Sequence, residues 1–264
     1  MTDGVIYVAT GADYTDLAVM SAKSLRAFNP SLPIDIFTDV DRNDLSETFD
    51  AVHLIDDPHQ RSKIDCIPRS RFDRTLFLDC DTLILAPFDD LFDILDRFEL
   101  ALTHDVRRAT PLIREGYREK TPYAFPQMNS GVLLYRKSDR VQSFFAEWKE
   151  RYVAAGQMRD QITLKDLLWA SDIRFYVLPP EFNLRRVTML DAWEPGDARP
   201  TILHSHRLLD HLRQPGAERL TDPEEIWAQE RLSLVEEWAQ AGVEGERNQD
   251  FGRLLSILGQ RGES

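Results

Sequence analysis

The sequence has few features that would tie it to a membrane, a nucleic acid or an oxidising compartment. Only two cysteines, Cys66 and Cys80, occur in 264 residues. That is too few for a disulfide framework, and reduced thiols are the simpler reading. No apolar run approaches the roughly 18 residues needed to span a bilayer. Excess basic charge is also missing. The 45 acidic and 32 basic side chains give a net charge of −13, which disfavours nucleic acid and anionic membrane as partners. A strand pattern begins at Val5 with no basic n-region before it, so a cytoplasmic chain without a signal peptide is expected. Internal repeats, low-complexity tracts and a strong linker are absent too.

What remains is the composition of an ordinary globular protein, 42% hydrophobic and 29% charged, long enough for one large α/β domain or two small ones. Its first half alternates strand and helix patterns. Val5 to Ala9 reads as a strand. A helix capped by Thr15 or Asp16 follows, with Leu17, Met20, Ser24 and Phe28 at spacings of three and four. Ile34–Phe37, Val52–Ile55 and Thr75–Leu78 are further strands, Phe88 to Phe98 a helix, and Leu100–Thr103 and Gly131–Tyr135 strands again. Helices are expected over 138–155 and 160–170, and a last short strand over 202–204. This βαβ rhythm predicts a mostly parallel central sheet flanked by helices. Asp222-Pro223-Glu224-Glu225 opens a well-marked helix with Asp at N-cap and Pro at N1. Trp227, Leu234, Trp238 and the Phe251, Leu254, Leu255, Leu258 stripe look like core. The division expected is a main domain over 1–220 and packed C-terminal helices over 221–264.

The most informative stretch is Thr75-Leu76-Phe77-Leu78-Asp79-Cys80-Asp81-Thr82, an apolar run ending in two carboxylates one residue apart. An apolar run of this kind suits a strand buried on both faces, and ligands of open α/β sheets bind beyond the carboxyl ends of such strands. Residues i and i+2 of an extended chain point the same way, so Asp79 and Asp81 can converge on one cation. Hard oxygen ligands suit Mg²⁺ or Mn²⁺, which can neutralise a diphosphate. On its own, the Asp-x-Asp pattern is equally a solvated acidic turn.

Other features accompany it in order. Lys63 lies sixteen residues before Asp79; Asn129-Ser130-Gly131 enters a strand; Asp160-Gln161 opens a helix; His204 closes the strand Thr201–His204. With these in place the chain resembles the retaining glycosyltransferases of family eight, from about residue 5 to about residue 207. The resemblance implies a GT-A fold and transfer of a sugar from a nucleotide sugar, with UDP as the expected nucleotide. The acceptor is undefined: a glycan, a lipid-linked molecule or a small molecule. It also implies that Asp79, Asp81 and His204 are metal ligands, and an imidazole among oxygens moves the expected ion from Mg²⁺ toward Mn²⁺. Ala9, Thr10 and Tyr14 match the segment that cradles the nucleoside, with Cys80 inside the acidic motif. Lys63, Asn129, Ser130, Asp160 and Gln161 match positions around the transferred sugar. The chain departs from the family after the histidine, where a glycine and a lysine that hold the diphosphate are replaced by Arg207 and Asp210. Arg207 and Arg213 are the candidates for the missing positive charge.

Retention by double displacement would need a carboxylate nucleophile such as Asp160. The resemblance implies instead a same-face mechanism, with Gln161 orienting the sugar. Two other functions fit parts of the pattern. A nucleotide-sugar-binding protein without turnover is one. A phosphatase starting from Asp-x-Asp is the other, but it needs Thr or Val two residues past the second Asp, where Leu83 stands. Residues 105–127 carry five basic side chains, Arg107, Arg108, Arg114, Arg118 and Lys120, in an otherwise acidic chain. They are expected to form a mobile lid over the donor pocket.

Overall fold

The computed structural model describes residues 1–241 except Ala109, Gln157, Met158 and Pro215. The expected stripe from Phe251 to Leu258 lies outside the described residues, as does the side chain of Trp238. In chain order the elements are β1 (Asp3–Ala9), α1 (Ala12–Phe28), β2 (Ile34–Thr38), β3 (Ala51–Leu54), α2 (Lys63–Cys66), β4 (Arg74–Leu78), β5 (Thr82–Ile84), β6 (Leu100–His104), α3 (Pro111–Glu115), β7 (Met128–Arg136), α4 (Asp139–Ala154), α5 (Asp160–Ala170), β8 (Phe175–Val177), β9 (Ile202–His204), α6 (Asp210–Arg213) and α7 (Pro223–Ala241). Seven strands form one sheet in the order β3-β2-β1-β4-β7-β6-β8, while β5 and β9 pair separately. Pairing is parallel except where β7 runs against β4 and β6, so the expected mostly parallel sheet holds with one reversed strand.

Period-two alternation divides the core between the faces of this sheet. Val5, Tyr7, Leu76, Leu78, Val132 and Leu134 point to one side, where α1 supplies Leu17, Ala18, Ala22 and Leu25. Ile6, Phe77, Leu133 and Tyr135 point to the other, against Phe145 and Trp148 of α4 and Leu164 and Leu167 of α5. Ser138 accepts a hydrogen bond from the Val141 amide and caps α4. Asp222 does the same for α7, taking the Glu224 amide at 3.0 Å, and Ile226 is wholly buried in the first core.

Two local expectations need correction. α1 starts at Ala12, not at Asp16, because Gly11 turns the chain at φ 80°, a conformation most side chains resist. Thr15 then lies inside the first turn and donates back to the Gly11 carbonyl. Residues 88–98 do not form an α-helix; a 3₁₀ turn spans Leu91–Asp96. Phe88, Leu91, Phe92 and Leu95 recur at spacings of three and four, which a 3₁₀ coil also serves. The segment 105–127 contains α3, capped by Thr110, and is fastened at its middle. Lys165 of α5, fully buried, donates to the carbonyls of Ile113 and Glu119 and to the Thr121 hydroxyl. Asp166 accepts the amides of Tyr117 and Arg118. Residues 113–121 are thus fastened to α5 by Lys165 and Asp166, which pair with each other at 3.1 Å, while Asp105, Arg107 and Thr110 of the same segment line the cleft beyond the carboxyl ends of β1 and β4.

Candidate active site

A cleft of about 760 Å³ opens beyond the carboxyl ends of β1 and β4. There the antiparallel β7 brings its first residues alongside, and the Asp79 amide donates to the Gly131 carbonyl at 2.7 Å. In the order β3-β2-β1-β4 the strand order reverses between β1 and β4, the usual place for a ligand in an open sheet. The acidic turn is held from within the core. The buried hydroxyls of Tyr7, Ser21 and Thr82 form a chain, Tyr7 to Ser21 at 2.9 Å and Ser21 to Thr82 at 2.7 Å. Thr82 then donates to the Asp79 carbonyl at 2.8 Å. Each hydroxyl in the chain is paired, as burial demands.

One oxygen each from Asp79 and Asp81 and one nitrogen from His204 lie within 4.8 Å of one another. β5 and β9 pair Thr82 with His204, which carries the imidazole to the acidic turn. Nε2 of His204 lies 3.2 Å from Asp81 and 4.0 Å from Asp79. Its other nitrogen, Nδ1, donates to Oδ1 of Asn183 at 2.9 Å. The acceptor end of Asn183 is fixed because its amide nitrogen donates to Asn129, which also takes the Gly131 amide. In a neutral ring Nε2 then presents a lone pair beside two carboxylates, an arrangement that a divalent cation satisfies. Gly131 keeps the space open: a Cβ there would lie 2.3 Å from His204 Cε1 and 2.6 Å from Asp79 Oδ2. Burial by itself would raise the Asp81 carboxyl, but His204, then Arg185 and His206, hold it below the ordinary carboxylate range. The residues present fit a hard divalent ion.

A second group adjoins the first. Lys63, at the start of α2, sits 3.1 Å from Asp79, 3.1 Å from the Ser130 hydroxyl and 3.7 Å from Asp160. Burial opposes its charge, yet Asp79 and Asp160 raise its pKa. Asp160 takes the Ser130 hydroxyl at 2.8 Å and faces Arg61 at 3.1 Å. Against the burial penalty, Lys63 and Arg61 lower the Asp160 pKa. Asp160 is the first residue of α5 and its carboxylate serves these neighbours; no side-chain cap is made there. The buried Trp148 indole donates to the Asp160 carbonyl and fixes the start of the helix. Gln161 accepts the Ser130 amide and donates to Asp105, which Gln127 also contacts.

The other expected residues divide. Thr10, Tyr14, Asn129 and Ser130 line the cleft. Ala9 is buried within the core cluster, and it is Val8 and Thr10 on either side that face the cleft. Cys80 turns inward, its thiol donating to the Val8 carbonyl. Burial, with Asp79 and Asp81 adding to it, pushes that thiol well up, so it stays protonated and is a poor metal ligand. Arg207 and Arg213 both line the cleft, but Arg207 is already paired with Asp210 at 3.2 Å and donates to Ser233 of α7 at 2.8 Å. Sequence reasoning missed Arg61, Asp105, Asn183 and Arg185, and it gave His206 no role. His206 lines the cleft, its pKa brought down to about 4 by burial and then by Arg185. One signal was available for Asn183 and Arg185: Phe182-Asn183-Leu184-Arg185 alternates apolar and polar residues, the period of an extended strand edge.

No family profile and no curated protein matches the chain. Solved structures do. A galactosyltransferase, LgtC, crystallised with donor and acceptor sugar analogues, superposes with a TM-score of 0.53 at 17% identity, covering 77% of this chain and 87% of that one. The glycosyltransferase GlyE of Streptococcus pneumoniae TIGR4 gives 0.52 at 19% identity, covering 92% of this chain and 65% of its own. The bifunctional glycosyltransferase WbbM gives 0.53 at 14%, covering 83% and 46%. This chain thus spans about two thirds of GlyE and less than half of WbbM. Among the described residues no helix is long and apolar enough to cross a membrane. The chain has the GT-A fold of these glycosyltransferases.

Proposed function

We propose that the protein is a metal-dependent glycosyltransferase that moves a sugar from a nucleotide sugar, UDP-linked in the first instance, to an acceptor with retention of configuration. The observation that carries this reading is the convergence of Asp79, Asp81 and His204 beyond the sheet, with Lys63 and Asp160 as immediate neighbours. Asp79, Asp81 and His204 would hold the ion, Mn²⁺ before Mg²⁺ because of the imidazole. When bound there, the cation would act as a Lewis acid on the diphosphate and stabilise the leaving group.

The chain's own side chains supply the rest. Lys63 presents its ammonium beside Asp79, with the Ser130 hydroxyl accepting from it, and can bind sugar hydroxyls or orient the leaving phosphate. The charged Asp160 carboxylate, with the Gln161 amide on the same turn, can position the sugar ring and stabilise positive charge as it develops at the anomeric carbon. Thr10 and Tyr14 lie at the end of the cleft formed by β1, where a nucleoside would rest. The test is turnover of a panel of UDP- and GDP-sugars with Mn²⁺. Sugar transfer or slow donor hydrolysis is expected. Phosphate release from simple monoesters would indicate a phosphatase, and binding with no turnover a sensor. Proton NMR of an early product should show the donor's anomeric configuration; the opposite anomer would overturn retention.

A further inference from the structure

Residues 183–185 run as an extended segment beside β9. Leu184 pairs with Leu203, donating to Ile202 at 2.8 Å and accepting the His204 amide at 3.1 Å. Its side chain is buried in the core. Alternate residues of an extended chain share a face, so Asn183 and Arg185 both turn away from that core. Asn183 reaches His204, and Arg185 lines the cleft.

Arg185 differs from Lys63, Arg61 and Arg207 of the same cleft. Lys63 faces Asp79 and Asp160, Arg61 faces Asp160, and Arg207 faces Asp210. Among the described residues, no carboxylate pairs with Arg185. One guanidinium nitrogen, Nη2, donates to His206 Nε2 at 3.0 Å. Its Nε and Nη1 are buried without an acceptor. Buried donors left unmade are costly, and more so on a charged group. A site that keeps such a group intact is prepared for an anion that arrives from outside. The planar, permanently charged guanidinium suits phosphate oxygens in particular. Its position is appropriate too, since it lines the same cleft as Asp79, Asp81 and His204.

We infer that Arg185 binds the diphosphate of the nucleotide sugar from the side of the cleft formed by residues 183–185, while Arg207 is held by Asp210 and Ser233. His206 receives the third nitrogen and holds the guanidinium plane in position. The inference rests on the donor reading above and goes beyond it by assigning the phosphate contact to a residue outside the histidine segment.

Calorimetric titration of UDP, UMP and inorganic pyrophosphate into the Mn²⁺-loaded protein tests it, with Arg185→Gln and Arg185→Lys beside the wild type. Loss of a charged hydrogen bond should weaken UDP and pyrophosphate about ten- to a hundredfold in Arg185→Gln, UMP by less, and leave the ligand-free melting temperature where it was. Arg185→Lys keeps the charge without the planar group, so its UDP affinity should fall between the other two; it carries the test if the glutamine variant does not fold. UDP affinity unchanged in both variants overturns the inference alone, as does an equal proportional loss for UMP and UDP. A wild type that binds none of the three probes overturns the donor reading and the inference together.

Discussion

Gly131 and His204 are packed so closely that a single added carbon would collide: a Cβ on Gly131 would lie 2.3 Å from the imidazole Cε1. No real contact is that short, so Gly131→Ala must displace the ring or the neighbouring Asp79. Disturbing the supports of metal ligands typically costs ten- to a hundredfold in affinity. Mn²⁺ affinity of Gly131→Ala, followed by electron paramagnetic resonance, should drop by at least about tenfold. Wild-type affinity would mean that the three groups do not share an ion.

Asp79→Asn and Asp81→Asn should each lower glycosyl transfer by orders of magnitude while circular dichroism stays unchanged, because each removes an anionic ligand. Near-wild-type rates at limiting Mn²⁺ in either variant would refute the metal assignment.

Removing the imidazole should discriminate between ions. His204→Ala is expected to weaken Mn²⁺ more than Mg²⁺, since nitrogen is the softer donor. Asn183→Leu should show a weaker form of the same bias, because it removes the acceptor that fixes Nδ1. An equal loss for both ions would assign His204 a structural role. His206 bonds to Arg185 in the cleft and is no neutral control for this experiment.

The clamp between α5 and residues 113–121 gives a stability prediction. Asp166→Asn leaves the buried Lys165 ammonium without its partner and should cost about 3–5 kcal/mol in urea unfolding. Hydrogen exchange over 111–121 should be slow in the wild-type protein without ligand and fast in the variant. Fast exchange in the ligand-free wild type would place this stretch in a mobile lid.

Acid stability should depend on Asp160. Its folded pKa lies below the ordinary carboxylate value of 3.8, with Lys63 and Arg61 outweighing burial. A depressed carboxylate stabilises the fold above its unfolded pKa, and that contribution is lost as pH falls through the folded value. Asp160→Asn should therefore flatten the loss of stability below about pH 4. Identical acid limbs for variant and wild type would show that Asp160 contributes nothing there.

How much of this was legible in the sequence followed from burial and period. The strand before Asp79 is an uninterrupted apolar run, so its end, and the acidic pair with it, could be placed from the residues. Lys63, Asp160 and His204 were found by their order along the chain relative to that pair. Asn183 and Arg185 were not, because the alternation from Phe182 to Arg185 is only four residues long and Leu184 alone bridges to β9. β5, three residues long, left no pattern to read. The hydrogen bond of Cys80 was also hidden, since alternation after β4 predicts the direction of its side chain but not the Val8 carbonyl that accepts from it. Arg207 looked available because its partners, Glu230 and Ser233, lie more than twenty residues further on.

Those last contacts bind the far end of the chain to the ion's fate. Ser205, next to His204, donates to Glu230 of α7, and Arg207 donates to Ser233. Any free energy that α7 spends in steadying residues 205–207 is shared with whatever His204 holds, and such coupling works in both directions. A protease nicking the chain near α7 should thus be slowed by the cation, and a chain shortened before Pro223 should release the cation more readily. Cutting the tail before Pro223 would loosen a grip at His204, 19 residues upstream in the chain.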